Sequence, residues 1–409
     1  MTQKAVFNRE PLLSDFGYDL PDNRIARYPM EQRENSKLLC WRSGVIDEGF
    51  FKDLPELLPA SSLLVFNNSR VIEARISFQK PTGGQIEIFC LRHHENYHSI
   101  HNAMEQKERV LWVCLIGGAS KWKHDQVLVK QIGETILEAR VITKNKDDFI
   151  IEFSWRPDFL SFSEVLHQVG SIPLPPYLNR SAEISDIARY QTIYAMEPGS
   201  VAAPTAGLHF SEKLLAELSG VGMDSLYLTL HVGAGTFMPV KTEKISEHRM
   251  HEEFIELSAE SVESLLSKMN KTVIAVGTTS LRTLETLYWL GLIISRNKEI
   301  SSQELNLDQW TSYDSSAGMT AQESLQCLLA WIRKQPEAKL VTKTQLFILP
   351  GYQFKIVNGL ITNFHQPHST LLMLVAALIG PAWKTVYSFA LQNDYRFLSY
   401  GDGCFFLPK

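Results

Sequence analysis

Nothing in the sequence supplies a covalent or metallic staple. The five cysteines, Cys40, Cys90, Cys114, Cys327 and Cys404, include no C-x-x-C pair. That spacing excludes a disulfide framework and a thiolate zinc site. Long apolar runs are missing as well. The longest, Leu371 to Gly380, has about half the length of a bilayer-spanning helix, and Met1 to Leu13 carries no signal-peptide core. A cytoplasmic protein with no membrane partner is expected, and the N-x-S matches at Asn67 and Asn179 then carry no weight. Positive charge is not in excess either: 40 Lys and Arg stand against 45 Asp and Glu, a net charge of −5. This argues against an indiscriminate nucleic-acid binder but leaves room for a local basic face. No G-x-x-x-x-G-K-[ST] loop is present, so nucleotide hydrolysis by that route is excluded.

What is present is an ordinary globular composition, 44% hydrophobic and 21% charged over 409 residues, enough for two or three domains. From Leu63 to Phe153 the pattern predicts strands at Leu63–Phe66, Val71–Ile76, Gln85–Leu91, Val110–Ile116, Gln126–Val129, Thr135–Val141 and Phe149–Phe153, punctuated by Gly and Asn turns. Many short strands in series suggest a small barrel or sandwich. After Pro157 strands alternate with helices. Val273–Val276 reads as a strand buried on both faces, followed by a helix over Leu281–Leu290 closed by Gly291. Further elements are expected at Leu346–Leu349, Leu360–Phe364 and from Thr370, where Ser369 is a candidate cap. The expectation is an α/β fold: a larger, discontinuous, barrel-like α/β domain (1–68 and 157–409) with a smaller all-β barrel (69–156) inserted. His93–Glu108 and Ile294–Ala317 read as irregular surface excursions.

Chemistry concentrates in small-residue motifs. Pro198-Gly-Ser-Val-Ala-Ala-Pro-Thr-Ala-Gly-Leu-His-Phe210 suits a stiff loop that lets a ligand approach the backbone, with Gly207 as a point of close approach and Thr205 and His209 as its polar groups. Leu228-Thr-Leu-His-Val-Gly-Ala-Gly-Thr-Phe237 runs from a strand into a Gly-x-Gly turn that brings His231, Gly233, Gly235 and Thr236 together. Met238 stands where the dinucleotide fingerprint needs its third glycine. His248 and His251 lie three apart, but neither H-E-x-x-H nor H-x-x-E-H is matched and no third ligand is evident. Hydrogen bonding is therefore expected of them, and no metal. Gly277-Thr278-Thr279-Ser280 sits at a strand-to-helix junction, where free backbone N–H groups favour an anion, and Arg282 follows as a candidate clamp. Asn363 and His365 end a strand, and Arg396, Tyr400 and Asp402 lie near the C-terminus.

Together the motifs resemble those of the S-adenosylmethionine:tRNA ribosyltransferase-isomerases of queuosine biosynthesis. The resemblance is carried by Val201-Ala-Ala-Pro-Thr-Ala-Gly-Leu-His-Phe, Leu230-His-Val-Gly-Ala-Gly-Thr-Phe, His248-Arg-Met-His, Ile274-Ala-Val-Gly-Thr-Thr-Ser and Thr362-Asn-Phe-His. Ile25-Ala-Arg-Tyr-Pro, Leu64-Val-Phe-Asn-Asn-Ser-Arg-Val-Ile, Pro173-Leu-Pro-Pro-Tyr and Tyr190-Gln-Thr agree with it, in order from about Leu20 to Asp402. It implies a monomer with an α/β domain and an inserted β-barrel. It implies also that the ribosyl group of S-adenosylmethionine moves to 7-aminomethyl-7-deazaguanine at the wobble position of tRNA. Adenine and methionine leave, and epoxyqueuosine forms. No cofactor is then expected, since S-adenosylmethionine is consumed.

That reaction needs a base for an acidified 5′ proton and a proton for departing adenine, tasks suited to histidine. His209, His231 and His365 are the candidates, with Thr205, Thr278 and Arg282 positioning the methionine carboxylate or the ribose hydroxyls. Where the family carries a basic loop, this chain has Gly117-Gly-Ala-Ser-Lys-Trp-Lys-His124, in which Lys121 and Lys123 are candidates for phosphate contact and Trp122 for base stacking. Gln366, His368 and Gly403-Cys404 also depart from the usual pattern. The competing readings are a paralogue with another acceptor and a non-catalytic tRNA- or nucleoside-binding protein.

Overall fold

A computed structural model describes residues 11–80, 82–123, 125–233, 235, 240, 242–314 and 318–408. Its largest element is a mixed sheet of nine strands, numbered by chain order. Across the sheet they run β15 (Lys339–Thr344), β13 (Glu253–Ser258), β12 (Asp224–His231), β3 (Ser62–Asn67), β14 (Thr272–Val276), β16 (Gly359–Asn363), β17 (Gly403–Leu407), β1 (Lys37–Arg42) and β2 (Val45–Phe50). The middle four, β12, β3, β14 and β16, are parallel neighbours, whereas β13, β15, β17 and β2 introduce antiparallel pairs. The order has two ends, so the barrel-like closure expected of this sheet is replaced by an open one. β3 shows why the centre is apolar throughout. Leu63 and Val65 enter the core on one face and Leu64 and Phe66 the core on the other, all fully buried.

The strands between residues 75 and 156 form a separate antiparallel sheet of six, β5 (Arg75–Gln79), β6 (Gln85–His93), β7 (Arg109–Gly117), β10 (Phe149–Arg156), β9 (Thr135–Lys144) and β8 (Leu128–Ile132). Its end strands β5 and β8 approach each other, which leaves it nearly closed around its own apolar core. A two-stranded ribbon pairs β4 (Ser69–Val71), just before β5, with β11 (Glu197–Ser200), well after β10.

Several expectations change. The strand expected over Val71–Ile76 is broken, because Val71 pairs in the ribbon with Ser200 while Arg75 already pairs with Phe89. The strand expected at Gln126–Val129 starts two residues later, at Leu128. Leu346–Leu349 is buried but not a strand. The two excursions bury more than expected. Ser99 caps a helix Ile100–Met104 whose Ile100, Ala103 and Met104 enter the core of the small sheet. Leu305 and Leu307 join the main core.

Gly291 is not a helix end. The helix runs Thr278–Arg296, and a Cβ at position 291 would lie 2.1 Å from the Ser324 carbonyl of the neighbouring helix Ala321–Ile332. Gly291 therefore permits close helix packing. Ser369 does cap the helix Thr370–Ile379, accepting the Leu372 N–H at 3.2 Å. Among the described residues no single helix is long and apolar enough to cross a membrane.

Candidate active site

The carboxyl ends of the four parallel strands carry the motifs, the place where open α/β sheets present ligand-binding groups. Asn67, at the end of β3, is spent on the fold. Its carboxamide donates to the Leu230 carbonyl at 2.9 Å and accepts from the N–H groups of Leu230 and Ser69. Beyond the ends of β14 and β16 opens a cleft. Its walls include Ala203–Ala206 from the Pro-rich loop, Gly277–Thr279 at the start of the long helix, and Thr362–Gln366, with Tyr177 and Ser399 opposite. Gly277 turns the chain from strand to helix at φ +91°, a conformation L side chains rarely adopt. The first N–H groups of the 19-residue helix thus face the cleft without intrahelical partners.

One hydrogen-bonded chain organises the cleft wall. Thr205 Oγ1 donates to Asn363 Oδ1 at 2.8 Å, and Asn363 Nδ2 meets His209 Nε2 at 3.1 Å. A backbone hydrogen bond with Arg33 engages the His209 ring, which also stacks on Phe51 at 4.1 Å between centroids. Burial, aided by Arg396, lowers His209 to about 3, so the ring is neutral and Nε2 accepts from the Asn363 amide. Gly207 keeps this loop tight, because a Cβ there would fall 2.0 Å from the Tyr194 hydroxyl.

His365 is the histidine that lines the cleft. Thr362 Oγ1 holds its Nε2 at 2.9 Å, the Tyr387 hydroxyl accepts its backbone N–H at 3.1 Å, and Tyr18 donates to its carbonyl. Burial lowers it to about 3.

Behind Thr278, Thr279 and Leu371 the cleft continues into a smaller pocket. Arg282 reaches it fully buried, paired through Nη1 with Glu253 and donating from Nε to the Leu346 carbonyl at 3.1 Å. Arg282 Nη2 and Thr279 Oγ1 have no hydrogen-bond partner among the described residues. His251 Nε2 stands 3.3 Å from the other Glu253 oxygen. Its ring is what demands glycine at 235, where a Cβ would lie 2.2 Å from it; Gly233 makes a looser approach to the same ring.

The remaining candidates lie elsewhere. His231 points away from the cleft, toward Gly199, Ile100 and Glu256, whose oxygen is 3.8 Å from Nε2. Burial and His93 lower it to about 3. His248 borders a different hollow with Arg249 and Gln309. Ser280 donates back to the Val276 carbonyl at the end of β14. Asp402 accepts the N–H groups of Lys37 and Arg396 and pairs with the Arg396 side chain at 3.1 Å, closing the turn that follows Tyr395. Thr236 and His124 lie outside the described residues.

Trp122, expected to stack on a base, is packed into the core of the small sheet with its indole N–H given to the Gln126 carbonyl at 2.8 Å, so it offers no free ring face. Lys121 and Lys123 beside it are exposed.

Glu253 was missed by motif reading. It could have been found as a carboxylate in the buried register of β13, where Ile255 and Leu257 follow at alternate positions.

The family model described as queuosine biosynthesis protein matches residues 13–406. The chain is also similar to an S-adenosylmethionine tRNA ribosyltransferase from Thermotoga maritima, known from a crystal structure. The identity is 27% over 96% of this chain and 100% of that one, with a TM-score of 0.45. Since the family match spans every motif that builds the cleft, the chain belongs to the queuosine biosynthesis protein family.

Proposed function

We propose that the protein transfers and isomerises the ribosyl group of S-adenosylmethionine onto 7-aminomethyl-7-deazaguanine at the wobble position of tRNA, releasing adenine and methionine. The observation that carries this reading is the convergence of loop 203–206, helix start 277–279 and strand end 362–366 on one cleft. These are the segments whose sequences resemble the family. S-adenosylmethionine is a consumed substrate here, so no cofactor is required. Both compartments are built from one chain, which suits a monomer, and a tRNA substrate suits a cytoplasmic enzyme.

His365 is assigned the proton transfers. A ring held neutral by burial accepts the 5′ proton acidified by the sulfonium, leaving the electron pair on carbon. The buried imidazolium so formed is a strong acid, fit to return its proton to departing adenine. His209 acts through Asn363, which it orients, and Thr205 completes that wall. Lys121 and Lys123 are assigned to tRNA phosphates. The six-stranded sheet is read as a domain spanning 69–156, inserted into a discontinuous one formed by 1–68 and 157–409. The strand membership of the two sheets supports this division.

The test is adenine release from S-adenosylmethionine with and without tRNA carrying the aminomethyl-deazaguanine base. Release that needs this tRNA, with the matching mass gain on the nucleoside, is expected. Release without it would indicate another acceptor, and tRNA binding without release a non-catalytic protein.

A further inference from the structure

The pocket behind Thr278 and Thr279 combines three features that together suit a bound ligand. It sits at the N-terminus of the 19-residue helix Thr278–Arg296, where backbone N–H groups and the helix dipole favour an anion. It is lined by two side chains at least nine-tenths buried, Arg282 (4% exposed) and Thr279 (9% exposed), each with one polar atom lacking a hydrogen-bond partner among the described residues. A buried guanidinium nitrogen and a buried hydroxyl left unbonded cost stability unless a ligand completes them. The pocket also holds Glu253, so the Arg282–Glu253 pair presents one positive and one negative edge. The remaining walls are apolar: Met250, Leu346, Phe347, Ile348, Leu371 and Leu374.

A small zwitterion with an apolar tail fits that description. Because Thr278, Thr279 and Leu371 border both compartments, such a ligand continues directly into the cleft that holds His365 and Asn363. We infer that this pocket holds the amino-acid end of the sulfonium substrate, with its α-carboxylate on Arg282 Nη2, Thr279 Oγ1 and the helix N-terminus, and its ammonium facing Glu253. The inference rests on the proposed function, because the larger cleft must then take the adenosyl part. It assigns the carboxylate to Thr279 with Arg282, leaves Thr205 to the wall around Asn363, and gives Glu253 a role in binding.

The experiment is calorimetric titration of the full chain with S-adenosylmethionine and with its decarboxylated form, which keeps the adenosyl group, sulfonium and amine. The wild type is expected to bind the decarboxylated form about 10- to 100-fold more weakly, the range for hydrogen bonds to a charged group. Thr279→Val, which removes only the hydroxyl, should weaken S-adenosylmethionine about tenfold and leave the decarboxylated form unchanged. Arg282→Lys should do the same, with thermal melting as a check that the Glu253 pairing survives. Equal binding of the two compounds by the wild type, or unchanged discrimination in Thr279→Val, overturns the assignment while leaving the ribosyl-transfer reading intact. Failure of S-adenosylmethionine to bind at all overturns both. Discrimination without tRNA-dependent adenine release keeps the pocket and removes the reaction.

Discussion

Asn363 Nδ2 lies 3.1 Å from His209 Nε2, and with the ring neutral this contact determines which way the Asn363 carboxamide faces. Thr205 donates to the opposite end of the same carboxamide. Asn363→Leu, which removes both ends, should lower kcat/KM for adenine release about 10- to 100-fold. His209→Phe keeps the stack on Phe51 but loses the acceptor, and should fall in the same range. His209→Gln, able to accept through its side-chain oxygen, should recover most activity. If His209→Gln is as damaged as a variant of His365, His209 is itself an acid or base.

His365 provides a pH prediction. Its value of about 3, set by burial, keeps it neutral throughout the range where an exposed imidazole would titrate. The rate of adenine release should therefore show no acid limb from this residue between pH 8 and about 5. His365→Ala should lower kcat about 10²- to 10⁴-fold. A pH–rate profile falling with an apparent pKa near 6.5 and lost in the variant would contradict the assignment.

His231 affects stability and not the cleft. Its folded value of about 3 lies below the ordinary 6.5 because burial and His93 disfavour the cation, although Glu256 lies 3.8 Å away. The unfolded chain thus takes up a proton first as pH falls. The stability contribution is complete above about pH 6.5 and erodes between there and about pH 3. By pH 5 the loss from this group is about 2 kcal/mol. His231→Leu, which also removes two ring nitrogens without a hydrogen-bond partner among the described residues, should lose less melting temperature than wild type between pH 7 and pH 5. Parallel loss in both proteins would show that His231 does not contribute.

The loop of the small sheet separates two effects. Lys121→Ala with Lys123→Ala should weaken tRNA binding and reduce the salt dependence by the equivalent of about two phosphate contacts, with little change in melting. Trp122→Ala removes a ring from the core of the sheet and should cost about 3–5 kcal/mol of stability. If the double lysine variant binds tRNA with an unchanged salt slope, these residues do not touch phosphate.

Much of the architecture could be read locally. The buried strand before Gly277, the Ser369 cap and the run of short strands between residues 75 and 156 all follow from propensity, periodicity and capping, which act within a few residues. The glycine at 291 was misread because a helix-ending glycine and a close-packing one look alike until Ser324 is seen against it. Glu253 shares the buried face of β13 with Ile255 and Leu257, and its role depends on Arg282, 29 residues away.

The order and composition of the small-residue motifs determined the family, the reaction class and the segments that build the cleft. Tertiary structure alone decided how the three histidines divide. His365 lines the cleft, His209 stands behind Asn363 from 154 positions away in the chain, and His231 turns toward Ile100. A motif specifies which groups are available and what local backbone carries them. Which face they take, what buries them and which atoms remain without a partner depend on packing between distant segments, and those conditions set the charge state on which the chemistry turns.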